Sequence, residues 1–312
     1  MWAGLSRLFG SLAVLFLVSV VLFTLVHAIP ISPARVVLGT DATDDDIAAF
    51  DHDHGLDRPL LAQYGAWIGG IFLRGDFGIS VIDDTPIGPR IARTFPITLE
   101  LVVLGFILAL VLAIPLGVVS ALWSDGVIDH FSRLFAVIGV SVPGFCFGLL
   151  LIDAFAVHFQ WFPPGGFVPW RDGAWPHLRS LALPTVALGF YYVGIISRMT
   201  RSSVADVLRA DHVRTARAMG LGRTRILVYV LKNALSPVVT VAAMSFGYMF
   251  GWALIVEQVF NIAGMSRALL TAIFQRDYLM VENIVLVITA IFLAANLFAD
   301  FLYRALNPRI SG

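Results

Sequence analysis

The chain alternates between long uncharged apolar runs and polar intervals. The runs are Leu8–Val26, Leu101–Ser124, Leu134–Ile152, Ser180–Ser197, Asn233–Val256 and Asn283–Ala299. At about 1.5 Å of rise per residue, each is long enough as a helix to cross a hydrocarbon core roughly 30 Å thick. The third continues past Asp153 to Val157 and the sixth to about Leu302. Six transmembrane helices are therefore predicted: the first within residues 1–28, then 98–124, 134–157, 180–198, 237–257 and 281–303. The first run could instead be a secretory signal. It is long for that role, Val26-His27-Ala28 is a poor cleavage site, and its removal would leave five spans.

Between the runs, residues 29–97 are too many for a turn. Thr43–Phe50 reads as a short helix behind a Thr/Asp cap, and Leu60–Leu73 as a second, amphipathic or lying on the membrane. Gly75-Asp76-Phe77-Gly78 and Thr85-Pro86-Ile87-Gly88-Pro89 punctuate the rest. A small extracytoplasmic cap is expected, without a domain of its own. Residues 158–180, rich in Pro, Gly and Trp, read as an irregular external loop, and 304–312 as a cytoplasmic tail. No low-complexity tract or internal repeat is evident.

Small residues recur within the spans. Gly105, Ala109, Ala113, Gly117 and Ala121 fall every four residues in the second, Gly144 and Gly148 in the third, and Ala243, Gly247 and Gly251 in the fifth. Such stripes let helix backbones approach closely. In the fifth span the stripe fits either tight packing or a translocation path or subunit interface.

Composition agrees with a membrane protein: 58% of residues are hydrophobic and 13% charged, against about 25% charged in soluble domains. The formal net charge is zero but unevenly placed. Arg198–Lys232 carries seven arginines and the only lysine, against Asp206 and Asp211. With Arg7, Arg133, Arg304 and Arg309 it forms the arginine-rich side, whereas residues 29–97 hold ten aspartates. The positive-inside rule places both termini in the cytoplasm. Cys146 is the only cysteine, which excludes an internal disulfide and a thiolate metal cluster.

The basic interval, residues 199–236, breaks into two helices. Ser202 or Ser203 can cap the first, which runs to about Met219. Gly220 suits a left-handed helix stop with Leu221 as its closing contact. The second spans about Arg223–Leu235, and Ser236-Pro237 suit the start of the fifth span. Ala216 and Ala218 keep the end of the first helix slim. A slim basic helix end can enter a groove on a partner; equally, its arginines can anchor at lipid headgroups. It lacks the stacking aromatics of a nucleic-acid site.

Other chemistry is sparse. Lys232 follows Leu231, so the chain has no phosphate-binding Gly-Lys loop. No His-Glu-x-x-His or Gly-x-Ser-x-Gly motif occurs. Asp51-His52-Asp53-His54 could ligate a transition metal or form a solvated acidic turn. Asp153, Glu257 and Asp300 lie near span ends, Asn296 deeper, with Glu100 and Glu257 at the outer mouth.

The string R-T-A-R-A-M-G-L-G (214–222) followed by L-K-N-A-L-S-P (231–237) resembles the EAA loop of ATP-binding-cassette import permeases. T-F-P-I-T-L-E-L (94–101), S-V-P-G-F-C-F-G-L-L-L-I (141–152), R-M-T-R-S-S (198–203), D-F-L-Y-R-A-L-N-P-R-I (300–310) and G-L-D-R-P-L (55–60) with L-R-G-D-F-G (73–78) are similar to its peptide/nickel branch, first-permease type. Arg214 stands at the motif's glutamate and Thr215 at its first alanine. Lys232-Asn233 replace the distal Leu-Pro, and Ile29-Pro30-Ile31-Ser32-Pro33 lacks the usual Gly-Asp.

The resemblance implies an all-α type I importer fold in a bacterial cytoplasmic membrane, pairing with a homologous second permease, two cytoplasmic ATPase subunits that bind ATP and Mg, and an external solute-binding protein. The chain itself would hold no cofactor and catalyse nothing. Asp211, Arg214, Thr215, Ala216, Arg217, Gly220 and Leu221 would couple to the ATPase. Ala243, Gly247, Gly251, Glu257 and Glu100 would line the path or subunit interface. Di- or oligopeptides are the expected substrates, with a nickel complex or other small solute as the alternative cargo. A self-contained ion-coupled transporter would need a buried charged site and inverted repeats or broken central helices, and an intramembrane enzyme a catalytic pair at depth; neither pattern is clear.

Overall fold

Glycine marks several of the helix junctions of this chain, at Gly75, Gly126, Gly173, Gly222 and Gly264, whereas Pro184 and Pro237 stand inside helices. The computed structural model describes residues 2–28, 33–39 and 41–306, of which 2–7 and 299–306 are helical backbone alone. The side chains of Arg7, Asp300, Tyr303 and Arg304, the string at 29–32, and Arg309 lie outside the described residues. Regular structure among the described residues is helical, apart from one bridge between Ile79 and Pro86. Among the described residues five helices are long and apolar enough to cross a membrane, and a bent pair makes a sixth if it crosses as one span. The chain divides into two compact units, residues 1–98 with 263–293, and 99–262 with 294–312.

The first unit contains α1 (Trp2–His27), α2 (Pro33–Leu38), α3 (Asp44–Asp53) and α4 (Leu60–Gly69), which ends in a wide turn, Gly70–Arg74, stopped by Gly75 at φ +65°. Thr43 begins α3 with a complete capping box. Its Oγ1 accepts from the Asp46 N–H at 3.3 Å, and its own N–H donates to Asp46 Oδ2 at 3.1 Å. Because Asp51, His52 and Asp53 lie in this helix, the histidines do not alternate as on a strand. His52 Nδ1 meets Asp57 Oδ2 at 2.9 Å, and His54 Nδ1 meets the Phe50 carbonyl at 2.9 Å. The Asp57 hydrogen bond raises the His52 imidazole above its ordinary pKa. No group of three metal-ligating side chains comes together among the described residues.

Two further helices complete this unit: α11 (Met265–Gln275), which the sequence reading did not anticipate, and the first part of α12 (Tyr278–Leu306). Buried polar contacts hold the cap segment to them. Trp67 Nε1 donates to Asn283 Oδ1 (3.1 Å), Asn283 Nδ2 donates to the Phe77 carbonyl (2.8 Å), and Ser80 Oγ donates to Asp277 Oδ2 (2.6 Å). Phe23, Trp67 and Leu286 form the apolar cluster beside them. Asp277 also caps α12 by accepting the Met280 N–H at 3.2 Å.

The second unit is built from α5 (Ile87–Leu122, from Leu99 onward), α6 (Val127–Ser141), α7 (Gly144–Leu151), α8 (Ala174–Arg209), α9 (Asp211–Ala218) and α10 (Arg223–Val259). The α6 axis and the α7 segment, which extends through a wide turn to His158, meet at 104°. Val142 is extended there and Pro143 opens the next helix, as expected when the residue before proline is kept out of the helical region. Two junctions expected from the sequence are absent. The α8 helix runs through Ser202 and Ser203, and Ser203 Oγ donates instead to the Ala234 carbonyl at 2.6 Å. Likewise α10 runs through Pro237, flanked by buried Ala234 and Val238, whose packing on both sides outweighs the one hydrogen bond proline forfeits.

The small-residue stripe of the second span is a packing seam. Ala109, Ala113 and Ala121 are buried. A Cβ on Gly117 would lie 2.6 Å from both the Ser197 carbonyl oxygen and Thr200 Cβ, and one on Gly189 would lie 2.9 Å from the Gly105 carbonyl oxygen. Helices α5 and α8 therefore touch nearly backbone to backbone. Gly144 and Gly148 similarly receive Trp252 and Phe260 of the second unit.

Candidate functional site

The basic loop is a helical elbow pinned by one apolar residue. Ala210 leaves α8 in an extended conformation and α9 begins at Asp211, whose carboxylate falls where the helix dipole favours negative charge. Gly220 takes φ +80°. Its N–H donates to the Arg217 carbonyl (3.0 Å) and the Leu221 N–H to the Ala216 carbonyl (3.2 Å), which is the full Schellman pattern closing the helix end. Ala216 thus supplies the acceptor that turns the chain. Thr215 bonds back to the Asp211 carbonyl at 3.0 Å. Gly222 then opens α10.

Val213 is wholly buried in a cluster with Ala121 of α5, Val204 of α8, and Ile226, Val230 and Ala234 of α10. On the other side Asp211, Arg214, Thr215, Arg217 and Gly220 are exposed and Ala216 is half-buried. Met219 is 75% exposed and Leu221 40%. A rigid basic ridge thus ends in an uncovered apolar tip. Six of the seven residues expected to couple lie on this elbow's exposed surface. Met219, the more exposed of the two tip residues, has no signal in the sequence, since a methionine before a glycine carries no distinctive pattern.

A buried ion cluster braces the elbow's root. The Asp129 carboxylate is inaccessible to solvent and receives Arg201 at both oxygens: Nε to Oδ1 at 2.6 Å and a terminal nitrogen to Oδ2 at 2.7 Å. Ser120 Oγ (2.5 Å), the Asp125 N–H (2.9 Å) and Arg133 complete its shell. This arrangement locks the end of α5, the turn after it and the start of α6 onto α8, eight residues before α8 ends. Bidentate pairing is geometry that a lysine cannot reproduce. The sequence did hold a signal: Asp129 and Arg133 are spaced four apart at a helix start.

The residues expected along a path do not form one continuous set. Gly247 and Glu257 are buried, Ala243 is half-buried, and Gly251 opens onto free space. Gly251 lines a mostly apolar groove of about 540 Å³ between α8 and α10, with Tyr191, Tyr192, Tyr248 and Trp252. Glu100 lies elsewhere. Its Oε1 accepts from His177 Nε2 (2.8 Å) and Trp170 Nε1 (2.9 Å), while His177 Nδ1 meets the Val168 carbonyl at 2.6 Å. Trp170 stacks on the His177 ring at 4.0 Å between centroids. Glu100 therefore fastens the 158–173 loop to α5 and α8. Only the folded loop brings His177 and Trp170 to it.

Two family models match: the inner membrane component of binding-protein-dependent transport systems over residues 113–312, and the N-terminal part of such membrane components over residues 4–102. The chain belongs to this family of transport permeases. It is an importer permease of the ATP-binding-cassette peptide/nickel class. The permease is 36% identical over 307 residues to the glutathione transport system permease protein GsiC of Escherichia coli K12, covering 98% of this chain and 97% of that one. To the GsiC of Salmonella paratyphi A it is 37% identical over the same length. In fold it is similar to a chain of the MetNI methionine ABC transporter in an inward-facing form, with a TM-score of 0.56, 16% identity, and 70% and 96% of the two chains covered. As a component of a binding-protein-dependent system, the permease works with a binding protein, and its ATP-binding-cassette class implies an ATPase partner.

Proposed function

We propose that this permease carries short peptides inward across the cytoplasmic membrane, with the α9 elbow inserted into a cleft of a cytoplasmic ATPase subunit. One observation carries the docking: α9 is fixed from below by Val213 while Arg214, Arg217, Met219 and Leu221 stand uncovered. A lipid anchor needs charge but no shaped tip. The Asp129 cluster makes the elbow's root stiff, so that movement of the docked subunit reaches α8 and α5 as a rigid displacement. ATP and Mg belong to that partner.

Short peptides are supported by the relatives named for glutathione, itself a tripeptide. The permease pairs with a homologous second one, and the groove beside Gly251, Tyr192 and Tyr248 is the part of the path or subunit interface this chain supplies. Both termini lie in the cytoplasm, and the cap of residues 29–97 faces the binding protein outside. Reconstitution with the second permease, two ATPase subunits and the binding protein tests this. Uptake of short peptides should require ATP and every subunit. Uptake by this chain alone under an ion gradient would overturn the proposal, as would normal delivery after deletion of residues 41–58.

A further inference from the structure

The first unit forms an open-mouthed cavity of about 920 Å³ between the last turn of α1, the cap helices and the start of α12. Its charged lining is acidic: Asp51, Asp53, Asp76, Asp84 and Glu282 against Arg58 and Arg74. Two of these lining residues carry a buried carboxylate oxygen without a hydrogen-bond donor, Glu282 Oε1 and Asp51 Oδ1. The Glu282 side chain is only 2% exposed. The nearest histidine nitrogen, His27 Nδ1, stands 3.5 Å away and is directed at the Phe23 carbonyl at 2.9 Å. Gln63 offers no donor either, because its amide nitrogen serves the carbonyls of Leu56 (3.0 Å) and Arg58 (2.8 Å) and its oxygen faces His27 Nε2.

A buried acceptor left without a donor costs about 1–3 kcal/mol, so the site favours a ligand that brings a hydrogen-bond donor. A metal ion is a poor match, since no three ligating side chains converge among the described residues. The volume is that of an organic ligand, and Phe23, Trp67 and Tyr278 in the wall suit a cation beside aromatic rings. We propose that this cavity binds a primary ammonium group, which donates to Glu282 and Asp51. The inference stands independently of the docking of α9. An ammonium could arrive on a soluble amine or on an ethanolamine headgroup, since the cavity lies at the end of two membrane helices.

The test uses the assembled transporter in nanodiscs, with thermal stabilisation and direct binding as readouts. One arm compares phosphatidylethanolamine with phosphatidylcholine, whose methylated nitrogen cannot donate. The other compares glycylglycine with N-acetylglycylglycine in phosphatidylcholine discs. Saturable binding of the donor-bearing probe in either arm, weakened about tenfold or more by Glu282→Gln and by Asp51→Asn, is the expected result, and the responding arm identifies the source. The proposal fails if neither arm discriminates, or if both variants bind like the unaltered protein. The two substitutions lie on different elements, so loss of folding in one leaves the other to decide.

Discussion

Arg201 grips Asp129 through two parallel hydrogen bonds of 2.6 and 2.7 Å, from a helix that ends eight residues later at the coupling elbow. The carboxylate has no access to solvent while Arg201, itself about a quarter exposed, covers it. Arg201→Ala should cost about 2–3 kcal/mol, the value of charge-assisted bonds to a buried group. Arg201→Lys should recover only part of it. Thermal unfolding in detergent measures this. Paired with Asp129→Asn in a double-mutant cycle, the losses should fall short of additive.

Gly220 should tolerate substitution according to backbone conformation and not size. No atom lies within 4 Å of a Cβ built there, but φ is +80°. Gly220→Ala should therefore cost about 1–2 kcal/mol of local elbow stability, with Gly220→Asn milder. Gly220→Asp should also reduce copurification of the ATPase and transport. If both survived intact, the elbow would have no coupling role.

Gly117 presents the opposite case, where φ is unconstrained and space is lacking. With a Cβ 2.6 Å from the Ser197 carbonyl oxygen and Thr200, Gly117→Ala must push α5 from α8. A loss of about 1–3 kcal/mol is expected, seen as a lower unfolding temperature. Thr200→Ala should restore part of it.

Asp277 confers a pH dependence whose sign follows from its burial. Desolvation raises its pKa above the ordinary carboxylate value, against the opposing hydrogen bond from Ser80. The folded chain then holds this proton to a higher pH than the unfolded chain does. Stability from this group is complete below the ordinary carboxylate pKa and declines as pH rises through the raised one. Asp277→Asn should flatten that decline. Unfolding temperatures across the mildly acidic range measure it.

These expectations rest on features of unequal legibility in the sequence. The spans, the Thr43 cap and the Gly220 stop were readable because each depends on local pattern: apolar run length, a hydroxyl before aspartates, a glycine after a helix. The continuity of α8 through Ser203 and of α10 through Pro237 was not. There, packing of Val204, Ala234 and Val238 outweighs local capping preference. The Asp129–Arg201 pair and the bonds of Glu100 to His177 and Trp170 join residues 70 to 77 positions apart, beyond the reach of periodicity. The stripe of the fifth span parts in the fold, with Gly247 inside and Gly251 open to a groove, a difference set by the neighbouring helices and invisible in the spacing.

The central claim is that the tip of α9 meets the ATPase. With Cys146 replaced by alanine, a benzophenone maleimide on Met219→Cys in the assembled transporter tests it most directly. The comparison site is Arg171→Cys, exposed before the far end of α8. Photolysis should join position 219 to the ATPase subunit and leave position 171 unlinked to it. Absence of that adduct at 219, or equal adducts at both positions, would contradict the account.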